Sequence, residues 1–138
     1  MKTDEWKTVN LWRKRHDKFI VEVSRHDSCD GDAWCVYAYI YQSHPCFMRI
    51  DKSKWCDQDV IYQMPLHFGG SYFSVNYSDD GKEIKSYKIG ADYKHLGDDR
   101  FSSIATKDMA YDVFADAEEL YTWLEEKTFV RKDMDDNA

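Results

Sequence analysis

The chain has 138 residues, of which 43% are hydrophobic and 33% charged, and its formal net charge at pH 7 is −7. That length suits one hydrophobic core, and no apolar run approaches the roughly 20 residues a membrane helix needs, so the expectation is a single domain that does not span a membrane. An acidic balance argues against direct nucleic-acid binding, which depends on neutralising phosphates.

The opening WKTVNLWRKR reads as a strand that turns at His16-Asp17 into FIVEVSR (19–25), although a short helix at the start also fits. In FIVEVSR the side chains of Phe19, Val21 and Val23 alternate with those of Ile20, Glu22 and Ser24, the period of a half-buried antiparallel strand. Residues His26 to Asp32 form the expected connecting turn. WCVYAYIY (34–41) is β-rich on both faces, which predicts a central strand with a helix over one face and aromatic cross-strand pairs on the other.

Between Pro45 and Pro65 the period is lost. Connections longer than about 12 residues are commonly functional or carry a short helix, and Ser53 is placed to cap one. SYFSVNY (71–77) and EIKSYKIG (83–90) flank SDDGK, where Gly81 can take the positive φ of a hairpin turn. Met109, Val113, Phe114, Ala117, Leu120, Tyr121 and Leu124 recur at helical spacing. Thr106 reads as the N-cap, with Asp108 and Asp112 at the positive end of the helix dipole and Lys127, Arg131 and Lys132 at the other. The expected fold is α+β: a four- or five-stranded antiparallel sheet with one main C-terminal helix packed on one face. Residues 1–132 form the domain, and DMDDNA (133–138) reads as a disordered acidic tail.

Charge is uneven. Residues 2–25 hold Lys2, Lys7, Arg13, Lys14, Arg15, Lys18 and Arg25, whereas residues 108–126 are rich in Asp and Glu. Both runs read as solvated surface, but the basic tip from Arg13 to Lys18 also offers a contact for an anionic partner. The N-terminus lacks the apolar core of a signal peptide, which places the protein in a cytoplasm. Cys29, Cys35, Cys46 and Cys56, spaced C-x5-C-x10-C-x9-C, then read as reduced thiols. None of the C-x2-C pairs typical of zinc modules occurs, although His26 and His44 stand near Cys29 and Cys46 as potential further ligands. His44-Pro45-Cys46 can be read as an imidazole beside a thiol, although adjacent residues rarely face each other productively. SCDGD lacks the ligand pattern of an EF-hand loop, and no P-loop or dinucleotide fingerprint is present.

The pattern richest in chemistry is HFGGSY (67–72) followed by GADYKHLGD (90–98). Gly69 and Gly70 open backbone conformations closed to other residues. Because the flanking strands form a hairpin, His67 to Tyr72 is expected beside Gly90 to His95. That brings His67, Asp92, His95 and Asp98 within reach of one another. Two imidazoles and carboxylates can hold a divalent metal, or an Asp can orient a His as general base. The same groups serve equally well to tie a turn together, so structural, ligand-binding and catalytic readings all stand. No nucleophile accompanies them, and no catalytic residue is assigned. Metal and cofactor are unknown.

HFGGSY with IGADYKHLGD resembles a motif pair, H-G-G-x-T/S-Y then G-x-D-C/Y-x-H-x-x-D, of small uncharacterised proteins encoded by bacteriophages and mobile elements. The resemblance covers residues 64–124 and marks His67, Gly69, Ser71, Tyr72, Gly90, Asp92, Tyr93, His95 and Asp98. Phe68 stands where the first glycine usually is, and Tyr93 where a cysteine is often found. The resemblance implies a phage origin, hence a host cytoplasm, but no reaction. The leading functional expectation is a phage accessory protein that binds a host or defence-system protein, for example as an anti-CRISPR-like inhibitor, rather than an enzyme. The abundance of aromatic residues favours it, since tyrosine and tryptophan are common interface anchors. The alternative is a small-ligand or metal-dependent pocket protein, for example a nucleotide hydrolase, built on His67, Asp92, His95 and Asp98.

Overall fold

The computed structural model describes residues 11–28, 31–50, 59–67, 69–94, 97–104 and 106–129. Five strands form one antiparallel sheet: β1 (Leu11–Arg15), β2 (Phe19–Ser28), β3 (Gly31–Tyr41), β4 (Tyr72–Tyr77) and β5 (Ile84–Asp92). The spatial order is β1-β2-β3-β5-β4. The chain therefore leaves β3, runs to the far edge to form β4, and returns through the Gly81 hairpin so that β5 fills the gap. Gly81 has a φ of 72°, as the short loop requires.

The expected turn from His26 to Asp32 is tighter than the sequence suggested. Strands β2 and β3 stay paired through His26↔Ala33, Asp27↔Asp32 and Ser28↔Gly31. Cross-strand hydrogen bonding outweighs the low strand propensity of this polar stretch.

Alternation divides the sheet into two unlike faces. Phe19, Val21, Val23, Trp34, Val36, Ala38, Ile40, Tyr87 and Ile89 lie on the inner face and are buried in the core. Helix α3 (Tyr111–Lys127) crosses this face over β2 and β3, burying Val113, Ala117, Leu120 and Leu124. Short helices α1 (Asp59–Gln63) and α2 (Asp99–Ser102), with a 3-10 turn at Phe47–Arg49, close the rest of that side through Val60, Ile61, Phe101 and Phe47.

Helix α3 starts later than the periodicity implied. Thr106 Oγ1 accepts the Met109 N–H at 3.2 Å and so caps the turn before α3, whose own N-cap is Ala110. Met109 is exposed and lies outside the buried stripe. Ser53, Arg131, Lys132 and the 133–138 tail lie outside the described residues.

His44 fastens the far end of α3. Its Nδ1 accepts the Cys46 N–H at 3.0 Å, which leaves the proton on Nε2 to donate to the Leu124 carbonyl at 2.9 Å. Leu124 carries one of the last carbonyls of α3, a group that helix ends leave in need of a partner. The imidazole therefore contacts Cys46 through its backbone rather than through its thiol, and burial pushes that thiol's pKa up, which makes it a poor nucleophile.

Burial is also the main cause that pushes the His44 pKa down, against the raising effect of the Leu124 bond. The folded protein then takes up this proton less readily than the unfolded chain does. The stability from neutral His44 is present above the unfolded value of about 6.5 and is lost as pH falls below it. We expect His44→Ala to cost about 2–3 kcal/mol at neutral pH and to weaken the decline in stability below pH ~6.5, as read from urea denaturation at a series of pH values. An unchanged pH slope in this variant would show that His44 is not its source.

Candidate functional site

The hairpin brings the two halves of the motif together as its geometry demands. The Ser71 N–H donates to the Gly90 carbonyl at 2.9 Å, and Tyr72 pairs with Gly90 in register. Just before this, Gly69 turns the chain with a φ of 78°. Gly70 lies where a Cβ would come within 2.6 Å of the Ile61 side chain, so the loop packs closely on α1.

The expected His/Asp cluster divides between the two sides of the sheet. Nε2 of His67 sits 2.9 Å from each carboxylate oxygen of Asp98. The imidazole stacks on the Tyr93 ring at 4.2 Å between centroids and 14° between planes, and Phe101 meets both rings edge-on. The Tyr93 hydroxyl donates to Asp116 on α3 at 2.6 Å.

Asp92 belongs elsewhere, because neighbouring residues of a strand point to opposite faces. It pairs in register with Cys35 on the outer face, and its Oδ1 accepts the Lys94 N–H at 3.1 Å. His95 lies outside the described residues.

The stack joins the loop before β4, the end of β5, the start of α2 and the middle of α3. Asp98 is the N-cap residue of α2 but makes no capping hydrogen bond there; its carboxylate faces His67 instead. Tyr93 is 1% exposed and Asp98 6%, so solvent and solute reach little of either. The His67-Asp98 pair has the form of an oriented base. The pair ties the loop before β4 to the start of α2.

The two described cysteines cannot share a metal. Cys35 is on the outer face of β3, while Cys46 is in the core under α3.

The outer face carries a second constellation. Tyr37 lies over Gly90, where a Cβ would come within 2.5 Å of the Val36 carbonyl oxygen and would also strike the Tyr37 ring. Glycine thus lets the Tyr37 ring settle onto the β5 backbone. Across that gap Tyr37 meets Tyr72 edge-to-face at 5.3 Å, joining β3 to β4 over the strand between them. The Lys88 ammonium lies 4.2 Å from the Tyr37 ring centroid, 5.3 Å from that of Tyr39 and 5.5 Å from that of Tyr72. Nearby, Glu22 is 3% exposed and accepts a 2.9 Å bond from Arg13 Nε. Among the described residues every helix packs on the opposite face.

Sequence reasoning marked Tyr72, Gly90 and Tyr93 but missed Tyr37, Lys88 and Asp116. The alternation of WCVYAYIY places Tyr37 and Tyr39 on one face, yet only the strand order brings Lys88 beside them. No protein-family model, curated protein or solved structure matches this chain.

Burial is the largest cause raising the Tyr93 pKa, followed by its bond to Asp116. A raised folded pKa means that the stability from neutral Tyr93 is intact below the unfolded tyrosine value of about 10 and is lost as pH climbs past it. We expect Tyr93→Phe to lower neutral-pH stability by about 1–3 kcal/mol. The same variant should lose less stability than the wild type between pH 10 and 11, as followed by guanidinium melts. Tyr37, whose pKa burial also raises, retains its share of the alkaline slope. Equal alkaline slopes would show that the Tyr93 hydroxyl contributes none of it.

Proposed function

We propose that the protein acts by binding another protein through the outer face of its sheet, as a phage accessory protein directed at a host or defence-system component. The observation that carries the binding reading is the gathering of Tyr37, Tyr39 and Tyr72 around Lys88 on a face over which no described helix packs. Tyrosine offers a large contact area at low conformational cost and a hydroxyl for the partner's polar groups. A lysine held among aromatic rings suits a carboxylate on the partner, since the rings shield the pair from water. The phage origin and the defence-system target rest on the motif resemblance alone.

The small-ligand or metal alternative built on His67, Asp92, His95 and Asp98 draws less support. Asp92 is on the face opposite to the His67-Asp98 pair, and Asp98 is buried.

A test uses surface variants that leave the core intact. The full chain is immobilised and a partner is identified from bacterial lysate; its affinity is then measured for wild type, Tyr72→Ala and Lys88→Glu. Each substitution is expected to weaken binding by about ten- to thirtyfold, the scale of an interface hot spot, with a near-normal melting temperature. A partner whose affinity ignores both changes would place the interface elsewhere, and failure to find any partner would remove the proposal.

A further inference from the structure

At the opposite edge of the inner face, residues of β1, β2 and α3 line a cleft of about 250 Å³. Val21, Val23 and Ala117 form its floor. Trp12 and Phe114 form one aromatic wall, in edge-to-face contact at 5.3 Å, and Trp12 is backed by Trp34 in a stack at 6.0 Å. That wall is supported from behind by the core.

The mouth is cationic. Lys107 lies 5.2 Å from the Phe114 ring centroid, and no carboxylate of the described residues comes within ion-pair distance of it. Lys14 also lines the cleft, paired with Glu118 at 2.7 Å. Both partners of that pair are more than half exposed, with side-chain exposures of 51% and 63%, so the bond is weak and readily exchanged. Arg13, by contrast, is engaged by Glu22 on the other face. Two ammonium groups and one carboxylate thus rim an apolar slot.

We infer that this cleft is a binding site for a small anionic molecule with a compact, flat apolar body, namely an aromatic monocarboxylate. The ring packs against the wall that Trp12 and Phe114 form together, and the carboxylate remains at the mouth on Lys107. The volume is slightly below the roughly 300–1,000 Å³ of ordinary ligand pockets, which limits the occupant to a small ring system. The site is separate from the tyrosine face and does not depend on it. It also gives the basic segment Arg13 to Lys18 a specific role through Lys14.

The test is a titration of the ¹⁵N-labelled full chain with indole-3-acetate, with uncharged indole as comparison. Saturable shifts are expected at the Trp12 indole N–H and at the amides of Val21, Val23 and Ala117, with the acid binding more tightly than indole. Lys107→Ala is expected to weaken indole-3-acetate about tenfold, the contribution of one charge-assisted hydrogen bond, while indole binding stays the same. Raising the salt concentration should weaken the acid alone. The inference is overturned if neither probe perturbs Trp12 in the millimolar range. It is overturned equally if indole binds as well as its acid, or if Lys107→Ala leaves the acid unaffected.

Discussion

Burying Val113, Ala117, Leu120 and Leu124 of α3 against β2 and β3 removes one face of the sheet from water. Full burial of a large apolar side chain is worth about 1.5–3 kcal/mol, so a stripe of them decides where the remaining elements can go. Once α3 lies across β2 and β3, the connection from β3 to β4 has to run beside it. The 3-10 turn, α1 and α2 then complete the same layer with Phe47, Ile61 and Phe101. Polar fastenings form at the margins of this layer. His44 holds the Leu124 carbonyl at one point, and Tyr93 holds Asp116 at another. Each is buried, and a buried polar group without its partner is costly, so these bonds set the position of α3 more sharply than apolar contact alone would.

The same packing leaves two surfaces of different character. On the outer face the sheet supplies its own cover, with rings from β3 and β4 meeting over Gly90 and Lys88 threaded among them. At the β1 edge the helix and the strand line a cleft with one aromatic wall and a basic rim. The first surface is broad and suits a macromolecule, whereas the second is narrow and suits a small anion. Both are distinct from the cluster of His67, Tyr93 and Asp98, which links a loop, a strand end and two helices.

Much of the fold was legible because the relevant signals are local. Alternation in FIVEVSR and the tyrosine-rich central strand, the SDDGK hairpin and the spacing from Val113 to Leu124 each report on neighbours within a few residues. The proximity of His67–Tyr72 to Gly90 was legible for the same reason, since a hairpin fixes its own register. Less legible was the side of the sheet on which each motif residue falls. Asp92 and Tyr93 are adjacent in sequence and end on opposite faces, so a motif that looks like one cluster becomes two. The Thr106 cap was misplaced by a turn because a capping side chain satisfies whichever N–H groups lie ahead of it, here those of a short turn before α3.

The sequence by itself determined the α+β class, the hairpin around Gly81 and the apolar stripe of the C-terminal helix, because periodicity and turn chemistry act over short stretches of chain. Only the tertiary structure decided that β5 lies between β3 and β4, and with it that Lys88 meets Tyr37, Tyr39 and Tyr72. It likewise decided that Trp12 and Phe114, far apart in the chain, meet edge-to-face and line one cleft. Strand order and the meeting of helix with sheet depend on which apolar surfaces find one another in the whole chain, and no local window of sequence contains that information.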